Sequence, residues 1–182
     1  MEQVTIVGSG HMARAIAVRM LQARHSVQIL GRNGEKTREL VEFLGAGAQG
    51  GGEGSAVEGG IVFLAVPFEE AKKTVLIYGE TLAGRVVVDI SNPVDLATFD
   101  RLLVPAGTSA AEEIARHASS DAFIVKAFNT CLAKPLEEGS VAGLPLDVFI
   151  AGDSEQAKVK VSAVVAASGL RPIDVWAAPQ GP

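Results

Sequence analysis

The run Val4-Thr5-Ile6-Val7-Gly8-Ser9-Gly10-His11-Met12-Ala13 constrains the fold more than any other stretch of this chain. Val4–Val7 is apolar or β-branched and predicts a buried strand over residues 3–7. Met12, Ile16 and Met20 then recur every four residues, which predicts a helix over 11–23. Gly8-x-Gly10-x-x-Ala13 joins the two in the pattern of a dinucleotide-binding turn. The first glycine makes the tight turn, the second lets the backbone approach a pyrophosphate, and the small third residue lets helix and strand pack closely. The helix start supplies free N–H groups and a partial positive charge to the anion. A glycine turn without a ligand is the alternative, so the rest of the chain must decide.

Short apolar runs alternate with helical patterns along the remaining sequence. Strands are predicted over 27–30, 61–66, 86–90, 122–127, 148–151 and 173–176, and helices over 35–44, 69–80, 109–117 and 154–168. Ser109-Ala110-Ala111-Glu112 is a capping-box pattern, and Gly45 and Gly169 are stop signals. Strands that are apolar throughout and separated by helices predict an α/β chain with a doubly wound, mostly parallel sheet. Residues 45–60, GAGAQGGGEGSAVEGG, are half glycine. Each glycine costs about 1 kcal/mol against alanine in a helix. The segment therefore predicts a poorly ordered crossover, with at most a short helical turn near residues 55–58.

Composition narrows the function classes. The 182 residues are 48% hydrophobic, enough for one core, and a single domain over 1–182 is expected. A net charge of −5 argues against nucleic acid, whose backbone needs a basic face. Cys131 is the one cysteine, so no internal disulfide forms. A lone cysteine reads as a small buried hydrophobe rather than a nucleophile. The three histidines, His11, His25 and His117, show no metal-ligand spacing, and no metal is expected. No apolar run approaches the ~18 residues of a membrane span, and no signal peptide is visible, so a cytoplasmic protein is expected. A homodimer is the commonest prior for an assembly.

The second strand ends Leu30-Gly31-Arg32-Asn33, where NAD-binding folds place an acid against the ribose 2′-hydroxyl. Here the acid is missing. Arg32 stands where a 2′-phosphate would lie, and Lys36 can add a second charge. The pattern favours NADP over NAD. His11, in a variable position of the glycine turn, is a candidate pyrophosphate donor or an exposed first-turn residue.

Three further strand ends carry polar or proline-bearing runs: AVPFEE (65–70), DISNPVD (89–95) and KAFNTCLAKP (126–135). With the GSGHMA turn, GRN after the second strand and the late IAGD and GLRPIDV, they give the chain its family resemblance. It resembles the NADP-dependent reductases of the deazaflavin coenzyme F420 type, over nearly its whole length. The resemblance implies a Rossmann NAD(P)-binding fold and hydride exchange between the nicotinamide of NADP(H) and the deazaflavin ring. It implies that Gly8, Ser9, Gly10, His11 and Met12 meet the pyrophosphate and that Arg32, Asn33 and Lys36 meet the 2′-phosphate end. Ala65, Val66 and Pro67 would pass along the cofactor. Asn92, Pro93, Asn129 and Thr130 would shape the nicotinamide and acceptor pocket, with Asn129 or Thr130 polarising an acceptor carbonyl. Hydride transfer between stacked rings needs position more than acid–base chemistry, and no catalytic acid or base is assigned.

The chain departs from the family in its glycine-rich 45–60 segment, looser than the usual helical crossover. It also stops at Pro182, where family members commonly continue into helical residues that help close the acceptor site. An open acceptor pocket, or one completed by a partner chain, is the corresponding expectation. Two other readings stand beside deazaflavin reduction. One is an NADPH-dependent reductase of a flavin or of a small imine or ketone. The other is a non-catalytic NADP-binding module.

Overall fold

The computed structural model describes residues 1–95 and 97–175. In chain order the elements begin with β1 (Gln3–Val7), α1 (His11–Gln22), β2 (Ser26–Gly31), α2 (Gly34–Leu44) and β3 (Ala48–Gly52). Then come β4 (Ile61–Leu64), α3 (Phe68–Tyr78), β5 (Val86–Asp89), α4 (Ala110–Ala115) and β6 (Phe123–Ala127). The last group is α5 (Ala133–Glu138), a small hairpin of β7 (Ser140–Val141) and β8 (Leu144–Pro145), β9 (Asp147–Ala151), α6 (Glu155–Ala167) and β10 (Arg171–Asp174). The strand expected over 173–176 is thus β10, and Trp176 lies outside the described residues.

Eight strands form one sheet in the order β10-β9-β6-β5-β4-β1-β2-β3. From β3 to β6 the pairings are all parallel, with Val4 opposite Val27 on one side and Ile61 on the other. β9 pairs antiparallel with β6, and β10 runs parallel to β9. The six-strand portion has the doubly wound order, in which the direction of strand addition reverses between β1 and β4. No helix among the described residues is long and apolar enough to cross a membrane.

The central strands β1, β2, β4 and β5 are buried on both faces, as largely apolar strands of a covered parallel sheet require. Ile16 and Met20 of α1 and Val161 and Val165 of α6 pack on one face, with Val4, Ile6 and Phe63. Ala71 and Val75 of α3 and Ile114 of α4 cover the other, with Val62, Leu64 and Val87. Each such fully buried aliphatic stabilises the fold by about 1.5–3 kcal/mol relative to exposure. The helix starts follow local chemistry. Asn33 caps α2 by accepting from Lys36 N at 3.0 Å, and Ser154 caps α6 from Ala157 N at 3.2 Å. Ser109 and Glu112 close the expected capping box at α4, although that helix ends at Ala115.

The glycine-rich segment differs from expectation. Residues 48–52 form β3, a parallel edge strand in register with Val27–Gly31. A Cβ at Gly51 would stand 2.8 Å from Leu30 Cδ2, and one at Gly50 would stand 3.1 Å from Val41 Cγ2. The glycines let an edge strand slide under α2 and against Leu30. The turn expected near 55–58 is not helical. That stretch is laid over the sheet by a polar network instead. Gln28 Nε2 donates to the Ala56 carbonyl at 2.9 Å, and Glu58 N donates to Gln28 Oε1 at 3.1 Å. Gly59 N donates to Thr5 Oγ1 at 2.9 Å, which in turn donates to Gln28 Oε1 at 2.7 Å. Thr5 is fully buried, so these bonds satisfy a polar group that would otherwise be costly. α5 has no counterpart among the predicted elements. Pro135 lies in its first turn, where a missing N–H is tolerated.

Candidate functional site

The carboxyl ends of β1, β2 and β4 meet around a cleft of about 410 Å³. Its floor is the turn from β1 to α1. Gly8 has φ 124°, and a Cβ there would run into the Ala65 carbonyl oxygen. Gly8 N donates to the Leu30 carbonyl and Ala65 N to the Val7 carbonyl, both at 2.8 Å, so three strand ends are tied at one point. Gly10 is the N-cap of α1 and offers no side-chain cap. A Cβ at Gly10 would meet nothing within 4 Å. The first N–H groups of α1 have no intrahelical acceptor. They stand uncapped beside an unfilled space that Gly8, Ser9 and Gly10 line. Ala13 is fully buried, as close helix–sheet packing demands. The other predicted residues of the turn stand apart from this wall. His11 is exposed, and Met12 packs half-buried on the core.

Arg32, Asn33 and Lys36 line the same cleft at the end of β2. Gly31 is needed just before them, because a Cβ would strike the Thr37 hydroxyl. Thr37 Oγ1 donates to the Asn33 carbonyl at 2.9 Å and holds the turn. The Asn33 side-chain oxygen is committed to its cap, so the groups suited to meet an anion here are the two cations, of which Arg32 already pairs with a carboxylate. Ala65, Val66 and Pro67 form the opposing wall.

Two carboxylates on this cleft were given no role by the sequence, although one of them ends the AVPFEE run. Glu53 follows β3, and Glu70 stands in the first turn of α3. Arg32 Nη1 donates to Glu70 Oε2 at 2.8 Å, and Lys73 Nζ donates to Glu70 Oε1 at 2.8 Å. The Lys73 ammonium foremost, and then the Arg32 guanidinium, hold the Glu70 carboxyl below the usual carboxylate range. No local signal places Glu70 against Arg32; only the sheet order, with β1 between β4 and β2, does.

A second cavity, about 940 Å³, lies past the ends of β5 and β6. Asn92 and Pro93 after β5, and Asn129 after β6, line it. Asn92 Nδ2 donates to the Asn129 carbonyl at 2.9 Å, and Asn129 Nδ2 reaches Asn92 Oδ1 at 3.4 Å. Phe128, fully buried, takes φ 63° and turns the chain so that Asn129 faces the cavity. Its ring packs edge-on against Phe63 at 5.8 Å, which holds that unusual backbone in place. Ile124, Val104 and Ala110 make the wall largely apolar.

Lys126 also lines this cavity, and the sequence reading missed its role. Its Nζ pairs with Asp89 Oδ2 at 2.6 Å and also donates to the Ser91 carbonyl. Asp89 is fully buried and accepts from Ser91 N at 2.8 Å. An ammonium has three donors, so one remains for the cavity. The signal was present: an aspartate ends one apolar strand, and a lysine interrupts its neighbour. Thr130 is exposed and lies off both walls. Cys131 is buried in the core, and that burial pushes its thiol up, against the pull of a Thr130 hydrogen bond.

The family model described as NADP oxidoreductase, coenzyme F420-dependent, matches residues 3–93. Over 182 aligned residues the chain is 32% identical to the metalloreductase STEAP3 of Rattus norvegicus, covering 95% of this chain and 33% of that protein. It therefore spans a third of that relative's length. It is 28% identical to the F420-dependent NADP reductase of Methanocaldococcus jannaschii, covering 92% of this chain and 80% of that one. A solved structure of a hypothetical protein from Sinorhizobium meliloti matches with a TM-score of 0.87 at 26% identity, over 97% of this chain and 85% of that one.

Proposed function

This chain belongs to the family of coenzyme F420-dependent NADP oxidoreductases, and on that premise we propose that it moves a hydride between NADP(H) and the deazaflavin coenzyme. The observation that carries the cofactor half is one cleft that joins an uncapped helix start to two cations, Arg32 and Lys36. The residues present fit a dinucleotide. Ala65 forbids a side chain at Gly8, and the space above Gly10 is open to the backbone's N–H groups. The nicotinamide supplies the hydride when the cofactor is bound.

Every other contribution comes from the chain. The α1 start receives the pyrophosphate, and Arg32 and Lys36 receive the 2′-phosphate, Arg32 through a planar fork suited to it. Ala65, Val66 and Pro67 keep water from the cofactor's flank. Asn92 and Asn129 hold each other across the boundary between the β5 and β6 ends. In this reading they fix the nicotinamide end, and Asn129 turns its amide toward an acceptor carbonyl. Lys126 holds a positive charge on the acceptor side, where a ring gaining a hydride gains electron density. The large apolar wall of the second cavity suits a flat ring. The reduced ring also takes up one proton, which solvent supplies through the open cavity, so no side chain is assigned as an acid.

A second reading keeps the cofactor and changes the acceptor to a flavin or a small imine or ketone. Likeness to the metalloreductase favours the flavin. A metal ion takes one electron at a time while a hydride carries two, so a carrier that accepts two electrons and releases them singly, as a flavin can, must stand between them.

Purified chain, NADPH and the oxidised deazaflavin coenzyme, followed by the coenzyme's visible absorbance, test the first reading. Rapid loss with NADPH and little with NADH is expected. Tight NADPH binding with no exchange would remove the deazaflavin as acceptor. Oxidation of NADPH by a flavin in the same cuvette would then establish the second reading.

A further inference from the structure

The basic end of the cofactor cleft carries its own anion. Glu70 lines the cleft beside Arg32 and Lys36, and its two carboxylate oxygens have separate cations. Oε2 accepts from Arg32 Nη1 at 2.8 Å, and Oε1 accepts from Lys73 Nζ at 2.8 Å. The Arg32 side chain is 73% exposed and that of Glu70 30%, so the pair between them sits in a high dielectric and holds weakly. Lys73 remains on the other oxygen when Arg32 turns away. Glu70 can therefore surrender Arg32 without being left unpaired.

Resting on the NADP reading above, we propose that Glu70 sets the cofactor preference of this cleft by competing with the ribose 2′-phosphate for Arg32. A carboxylate and a phosphate are both acceptors, and both are anions. Arg32 in its present position serves the carboxylate, so a 2′-phosphate must displace that carboxylate or share the guanidinium with it. A ribose 2′-hydroxyl is a donor and meets the carboxylate favourably, as acids at the end of the second strand do in NAD sites. Here the acid comes from α3 instead of β2. The cleft thus reads phosphate through Arg32 and Lys36 while Glu70 restrains that preference and keeps the non-phosphorylated cofactor admissible.

The test is fluorescence titration of NADPH and NADH into the wild-type chain, Glu70→Gln, Arg32→Ala and the double variant. Glu70→Gln is expected to tighten NADPH by about two- to fivefold, the range of an exposed ion pair. NADH binding should be unchanged or weaker. The gain should vanish in the Arg32→Ala background and shrink as salt is raised, since exposed charges are screened. An NADPH Kd that does not fall in Glu70→Gln, or equal shifts for the two cofactors, overturns the inference alone. A wild-type chain that binds no NADPH overturns the cofactor reading and this inference with it.

Discussion

The two cavities at the carboxyl ends of the strands are built from different materials. The first is made of main chain: Gly8 against the Ala65 carbonyl, Gly10 open to space, Gly31 against Thr37. The second is made of side chains that meet from distant segments: Asn92 with Asn129, Lys126 with Asp89, and an apolar wall from β6 and α4. A main-chain site tolerates no added atom where chain packs on it, as at Gly8, and its glycine pattern is written locally. A side-chain site depends on each partner being present, and its requirement is written across the chain. The first suits phosphates that many enzymes share. The second can vary with the acceptor.

The largest expected effect tests whether the second cavity stands on its ion pair. Lys126→Met leaves the fully buried Asp89 without its cation and should cost about 3–5 kcal/mol of stability in denaturant unfolding. Adding Asp89→Asn should recover much of that loss. A wild-type midpoint for Lys126→Met would show that the cavity does not depend on the pair.

Next come the two glycines of the first cleft, which should behave oppositely. Gly8→Ala meets both a left-handed φ and the Ala65 carbonyl, and should lose about 2–4 kcal/mol of stability. Gly10→Ala meets no protein atom, so it should cost about 1 kcal/mol or less through the poorer cap. Its NADPH affinity should nonetheless drop, because the methyl enters the space above the turn. Thermal melts paired with NADPH titrations separate the two. Equal melting losses would erase the distinction between a glycine the fold needs and a glycine the ligand needs.

Arg32→Ala should weaken NADPH by about 1–3 kcal/mol, the range for a charged hydrogen-bonded group, and leave NADH nearly unchanged. Equal losses would show that Arg32 does not read the 2′-phosphate. The smallest effect lies in the frame. Ser109→Ala removes the α4 cap and should cost about 1 kcal/mol of stability.

The same contrast explains what the sequence disclosed. Val4–Ala13 could be read directly, because a strand, a tight turn and a helix each leave a local mark. So could the capping box at Ser109. The glycine-rich segment misled, because propensity asks what glycine does alone and β3 answers what glycine permits beside Leu30 and Val41. The polar network through Thr5 and Gln28 that orders residues 56–59 joins segments far apart in the chain. Asn92, Pro93 and Asn129 stand out through their motifs, and all three line the second cavity. Asp89 and Lys126 head the same runs, but their pairing was not legible, because it depends on β5 lying beside β6. Glu70 was hidden for the same reason, since it reaches Arg32 only after β4 takes its place beside β1.

The most direct test of a main-chain cofactor cleft beside a side-chain acceptor cavity is a two-step amide NMR titration. NADP⁺ is added first and the oxidised deazaflavin coenzyme second. The first addition should move the amides of Gly8–Met12 and Gly31–Lys36, and the second those of Asn92, Lys126 and Asn129. Shifts from NADP⁺ confined to the second group, or none in the glycine turn, would contradict the assignment of the two cavities.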